Sequence, residues 1–157
     1  MTSARVRRIT VTGSESTGKT WLAERLARHF GTVWSREFSR DYALNKAAPL
    51  DASDVEPIAR GQLRGEDDVL GRAHGLAILD TALVSTVVYA EHYYGQCPRW
   101  IEVAARARLA DLYLLCDVDV PWVADPARDR PHARQEIHAA FAARLDRYEA
   151  PYVVVRG

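Results

Sequence analysis

The stretch VTGSESTGKTWLAERLA, residues 11–27, holds a glycine, four residues and then Gly-Lys-Thr. Gly13 and Gly18 permit backbone angles and close approaches that a β-carbon would block. The successive amides of Ser14, Glu15, Ser16 and Thr17 are therefore able to turn inward onto phosphate oxygens. A helix starting near Gly18 adds unpaired amides and a positive dipole end. Lys19 is expected to reach the β- and γ-phosphates, and Thr20 to place its hydroxyl on Mg²⁺. Of the 21 basic side chains only Lys19 and Lys46 are lysines. A lysine here suggests that the site wants a compact, flexible ammonium rather than a planar guanidinium. A chain of this length matches the pattern by accident about once in 200. The match also lies between the apolar run RITVT and an amphipathic segment, the strand-to-helix setting that such a cradle requires.

A bound nucleoside triphosphate does not name a reaction, so other residues must separate a switch GTPase, an assembly ATPase and a small-molecule kinase. An Asn-Lys-x-Asp guanine reader is missing: NKAA at 45–48 lacks the Asp and comes too early. The run LAILDTA ends in one acid, Asp80, where an assembly ATPase usually has two. Asp80 closes a strand at the carboxyl edge of the sheet, where it could hold Mg²⁺, accept a substrate proton, or simply cap the next helix. Glu37, in VWSREFSRDY, lies at the same edge, suited to orient or deprotonate an attacking hydroxyl or to stay a surface charge. Arg40 is one helical turn on, so the two could share a substrate or pair with each other.

A third constellation is DVDVPWVADPARDRPHARQ, residues 117–135, with Pro121, Pro126 and Pro131 and with Arg128, Arg130 and Arg134 before a helix. Guanidinium groups on a closing loop neutralise the charge that develops in phosphoryl transfer and help exclude water. A kinase working alone needs such a lid; solvated helix-start arginines are the plainer alternative. Trp34, Phe38, Tyr42 and Trp122 fall near the same edge and could stack on a flat acceptor ring or serve as core. Gln62 is a candidate reader of a substrate amide or hydroxyl, or a polar helix position. His29, His74, His92, His132 and His138 show no HExxH or zinc spacing, and no Gly-x-Ser-x-Gly elbow occurs.

Elements able to position these residues alternate along the chain. Strand candidates are RITVT (8–12), TVWS (32–35), LAIL (76–79), LYLLC (112–116) and YVVV (152–155). Leu22, Leu26 and Phe30 share one face of a first helix. Val84, Val87, Val88 and Glu91 keep helical spacing, as do Ile137, Phe141, Leu145 and Tyr148. Residues 37–72 should hold two helices broken near Pro49, with Asp51 or Ser53 as a cap. The alternation predicts an α/β fold, a five-stranded parallel sheet with helices on both faces in a single domain over 1–157; taken with the phosphate cradle and the arginine-bearing segment 117–135, the expectation is a P-loop NTPase/kinase fold with an arginine-bearing lid.

The 157 residues are 48% hydrophobic and 27% charged, which excludes disordered and fibrous classes. Basic and acidic residues balance at 21 each, so no charge excess draws the chain to nucleic acid or an acidic membrane, and a small-molecule partner is expected. Arg5, Arg7 and Arg8 read as the solvated start of a strand. Cys97 and Cys116 are too few for a disulfide framework or a four-ligand zinc site, and Cys116 ends an apolar run as core. Without a leader pattern or an 18-residue apolar run, a cytoplasmic location is expected.

These residues together resemble the ribosylnicotinamide kinase domain of NadR-type NAD-salvage proteins. The resemblance runs through GSESTGKT, EFSR at 37–40, ARGQ at 59–62, LDT at 79–81, YYG at 93–95, DLYLL at 111–115, PWVADPAR at 121–128 and RQ at 134–135. It implies transfer of the ATP γ-phosphate to the 5′-hydroxyl of nicotinamide riboside, with Mg²⁺ brought in by ATP. By this resemblance Glu37, Arg40 and Asp80 look like substrate and catalytic positions, and Trp122, Asp125 and Arg128 like the lid entrance. The chain departs from the family pattern in four places. Ala82 stands where a second acid is frequent, and Pro126 where glycine is usual. The last strand ends at VVVRG without a following helix, and no His-x-Gly-His adenylyltransferase motif is present. The alternatives are a kinase of another nucleoside or small metabolite, and a regulatory module that binds ATP without turnover.

Overall fold

The structure is a computed structural model and describes residues 5–119 and 133–157. Trp122, Asp125, Arg128 and Arg130 lie outside the described residues. Five strands are formed: β1 (Arg7–Thr12), β2 (Trp34–Ser35), β3 (Leu76–Asp80), β4 (Leu112–Cys116) and β5 (Tyr152–Val155). They pair in parallel in the order β2-β3-β1-β4-β5. The helices are α1 (Lys19–Phe30), α2 (Phe38–Lys46), α3 (Val55–Arg72), α4 (Leu83–Tyr94), α5 (Arg99–Ala107) and α6 (Arg134–Arg147), with a 3₁₀ turn at Ala52–Asp54.

The pleat of the central strands sends alternate side chains to opposite layers. Ile78, Leu114 and Cys116 meet Ala23 and Ala27 of α1 on one face. On the other, Ala77 and Leu79 pack on Val69 of α3, while Tyr113 and Leu115 enter a larger core with α4, α5 and α6. This two-faced burial is why the strands read as nearly continuous apolar runs. Cys116 is buried core, as expected, and both cysteines are free.

Several local expectations need correction. Leu22 and Leu26 join the α1 layer, but Phe30 is 52% exposed: small Ala23 and Ala27 let the helix lie close to the sheet, which turns the Phe30 position outward. β2 is shorter than the 32–35 run, and Trp34 packs in the α1 layer instead of facing the ligand edge. α5 was not separated from its surroundings by its sequence pattern. The break near Pro49 resolves into the 3₁₀ turn, where Asp51 accepts from the Ser53 amide and Asp54 returns a bond to the Asp51 amide, a reciprocal capping box. Arg8 is not merely solvated: its guanidinium donates to the carbonyls of Arg108 (3.3 Å) and Leu109 (3.0 Å). Within the 18-residue α3, Gly61 is required by packing, because a β-carbon there would sit 2.1 Å from the Phe38 ring.

Candidate functional site

β1 and β3 are adjacent, and their register pairs Val11 with Asp80. The loop leaving β1 therefore begins beside the acid ending β3. Gly13 has φ +135°, and a β-carbon on it would lie 2.9 Å from the Cys116 carbonyl at the end of β4, so the loop can pass only with glycine. Gly18, at φ +83°, is the left-handed residue from which α1 starts. Within the loop, the Thr17 hydroxyl and the Lys19 ammonium both donate to the Ser14 carbonyl, at 2.8 and 2.9 Å. Arg134, the first residue of α6, donates to the Ser16 carbonyl at 3.2 Å. Of the expected lid arginines, this one is thus brought onto the cradle.

The Thr20 hydroxyl donates to Asp80 Oδ2 at 2.6 Å. Asp80 is wholly buried, and its Oδ1 has no hydrogen-bond partner. Burial, then the nearby Glu37 charge, pushes its carboxyl up to about 6; the Thr20 bond and the Lys19 and Arg40 charges act the other way. Glu37 precedes α2 as its N-cap residue, and its Oε1 accepts from Ser39 at 3.1 Å. Among the described residues, no cluster of three His, Cys, Asp or Glu is placed to hold a metal. A hydroxyl and a carboxylate oxygen without a partner, next to a phosphate cradle, fit instead a hard divalent ion arriving with its nucleotide.

A cavity of about 1130 Å³ joins these groups. Glu15 to Thr20 form one wall, with Glu37, Arg40, Asp80 and Gln62 beside them. Two expected substrate contacts are otherwise engaged. Tyr42 does not line the cavity; its hydroxyl donates to Asp54 Oδ1 at 2.7 Å, supporting the turn that carries Lys46–Asp54. Gln62 reaches the cavity, yet its amide nitrogen donates to the Thr81 carbonyl at 2.9 Å.

The aromatic lining from α4 is an addition to the residues expected from the sequence. Tyr89 and Tyr93 line the cavity, with rings stacked at 6.1 Å and 20°, and Tyr94 follows. Positions four apart share a helix face, so the 89/93 pair was readable as one aromatic surface. Leu44, Pro49, Ile58 and Arg36 also line the cavity. Ala82, the departure from the second acid, is the N-cap residue of α4 and does not line the cavity.

Known proteins resemble this chain in sequence and in fold. The family described as AAA domain matches residues 8–157. The trifunctional NAD biosynthesis/regulator protein NadR of Escherichia coli K12 is 32% identical over 127 residues, covering 78% of this chain and 31% of that protein. The chain therefore spans about a third of that relative's length. The crystal structure of NadR protein in complex with NR superposes with a TM-score of 0.83 at 25% identity, over 96% of this chain and 43% of that one. NadR in complex with NAD and AMP-PNP gives 0.81 at 25% identity, over 96% and 44%. Thymidylate kinase from Ehrlichia chaffeensis, 19% identical with a TM-score of 0.68 over 96% and 88%, shares the fold.

Proposed function

For a chain that belongs to the AAA domain family, with a complete phosphate cradle and an acid-lined acceptor cavity, we propose that it phosphorylates nicotinamide riboside on the 5′-hydroxyl using ATP. The observation that carries this reading is the Thr20–Asp80 bond in a cavity shared with Glu37 and Arg40, which unites donor and acceptor halves in one space. The likeness to NadR supports the choice of acceptor, and ATP binding follows the cradle and the AMP-PNP complex of that relative.

In this scheme the amides of Gly13 to Thr17 and the α1 N-terminus hold the β- and γ-phosphates, and Lys19 leaves the Ser14 carbonyl to neutralise their charge. Thr20 and Asp80 would hold Mg²⁺, which when bound offsets charge on the phosphate oxygens. Since Asp80 is engaged with Thr20, Glu37 is the acid that orients the acceptor. Its Oε1 takes the Ser39 hydroxyl, which leaves Oε2 for the 5′-hydroxyl. The acceptor oxygen forms a bond to the γ-phosphorus as the bond to the β–γ bridging oxygen breaks. The hydroxyl proton passes to Glu37, and ADP leaves. Arg40 and Arg134 balance the negative charge from either side, and Arg128, Arg130, Trp122 and Asp125 are assigned to the closing lid. The tyrosine end of the cavity suits a cationic pyridinium ring, which gains from electron-rich faces. A small-molecule partner and a cytoplasmic site of action belong to the same reading.

The test is ADP release with Mg·ATP over a panel of nucleosides, products identified by mass spectrometry. Nicotinamide riboside should stimulate ADP release most strongly. Tight ATP binding with no stimulation by any acceptor would instead make the chain a nucleotide-binding regulatory module.

A further inference from the structure

We infer that Gln62 is a positioning residue which, through the Thr81 carbonyl, holds a strained turn and so fixes Asp80 opposite Thr20. Thr81 directly follows Asp80 and has φ +74°, a left-handed conformation that a β-branched residue rarely adopts. Such a torsion persists only where its surroundings overdetermine it. Here its N–H donates to the Val11 carbonyl of β1 at 2.9 Å, and its carbonyl accepts from Gln62 Nε2 of α3 at 2.9 Å. The two bonds lie on opposite sides of the Thr81 N–Cα bond and bracket the strained angle. Loss of the Gln62 bond frees the carbonyl side, and relaxation of φ then shifts the peptide that carries Asp80 or the start of α4.

The direction of the Gln62 amide is itself fixed. A flipped amide would set its oxygen against the Thr81 carbonyl. α3 thus reaches the turn that follows Asp80 through one buried amide.

Glycine accepts a positive φ without strain, which makes the inference testable by rescue. Wild type, Gln62→Leu, Thr81→Gly and the double variant are compared for kcat and KM with nicotinamide riboside, and for ATP affinity with and without Mg²⁺. Gln62→Leu should lower kcat about tenfold or more with KM for the nucleoside changed less than about threefold, and should shrink the Mg²⁺-dependent gain in ATP affinity while sparing metal-free ATP binding. The double variant should return to within about threefold of Thr81→Gly alone. A raised KM at unchanged kcat, or a double variant no better than Gln62→Leu, would overturn the inference in favour of a substrate contact or a merely structural amide. If Gln62→Leu is insoluble, Gln62→Asn, whose amide stops one methylene short, is held to the same rescue. The turnover arm rests on the proposed kinase activity, but the Mg²⁺–ATP binding arm does not. If nicotinamide riboside is not a substrate, that arm alone still decides the role of Gln62.

Discussion

Asp80 concentrates the chemistry of the site in one carboxyl group. It is wholly buried, bonded to Thr20 through one oxygen and without a partner on the other, beside the like charge of Glu37. Its carboxyl titrates at about 6, above the usual range, so the charged form that suits a divalent ion is lost as pH falls through that value. Mg²⁺-dependent ATP binding should accordingly weaken on the acid side of about pH 6. Glu37→Gln removes the like charge and should move that midpoint downward; an unmoved midpoint would separate the two acids electrostatically. In turnover, Glu37→Ala and Asp80→Ala should each lose at least about a hundredfold in kcat, with the affinity of Glu37→Ala for ATP nearly unchanged. Steady-state kinetics beside ATP titration checks this, and full turnover in both variants would remove their assigned roles.

These residues were legible because each carries a local signature: the Gly-x-x-x-x-Gly-Lys-Thr spacing, and an acid at the end of an apolar strand. Tyr42 and Gln62 carry no such signature. Both are polar groups near a ligand edge, and only tertiary structure reveals that one is spent on Asp54 and the other on the Thr81 carbonyl.

Among the elements, α4 explains a departure from the family pattern. Ala82 occupies its N-cap with extended backbone and no side-chain cap, so the missing acid removes a helix cap, and its side chain is not part of the cavity wall. Ala82→Ser, which adds a capping oxygen without a second charge beside Asp80, should stabilise the fold by about 0.5–1.5 kcal/mol and leave KM values within about twofold. Denaturant unfolding and steady-state kinetics test both parts, and a large KM change would return position 82 to the substrate site.

α3 carries a different liability. Glu66 is buried, and desolvation pushes its carboxyl up to about 7 against the lowering charge of Arg108. A raised carboxyl favours the protonated folded state. Its contribution is therefore most favourable below the unfolded value of about 4.5 and is lost as pH rises through about 7. Glu66→Gln should gain on wild type across that window by on the order of 2–4 kcal/mol, measured by urea unfolding at pH 4.5 and 8. Parallel profiles for the two proteins would show that Glu66 titrates normally. The element that escaped the sequence reading, α5, is only nine residues long and lies between α4 and β4 with Ile101 and Ala105 buried, so it merges with its neighbours along the chain. Small side chains misplaced the inner face of α1, which rests on Ala23 and Ala27 while Phe30 points to solvent.

Across the whole molecule, alternation of strands and helices was enough to foresee a five-stranded parallel sheet covered on both faces. It was not enough to order the strands. The order β2-β3-β1-β4-β5 is what seats the cradle between Asp80 and the Cys116 carbonyl, and it arises from crossovers that no local pattern encodes. The acceptor end of the cavity depends on the same assembly, since α2, α3 and α4 each contribute a wall. Donor half and acceptor half therefore meet only in the folded chain, and their meeting is the substance of the kinase proposal. Its most direct test is the stoichiometry of nicotinamide mononucleotide to ADP when the protein is given Mg·ATP and nicotinamide riboside. The account predicts one mononucleotide per ADP, with both lost in Lys19→Ala; ADP formed without mononucleotide, or neither product from the intact protein, would contradict it.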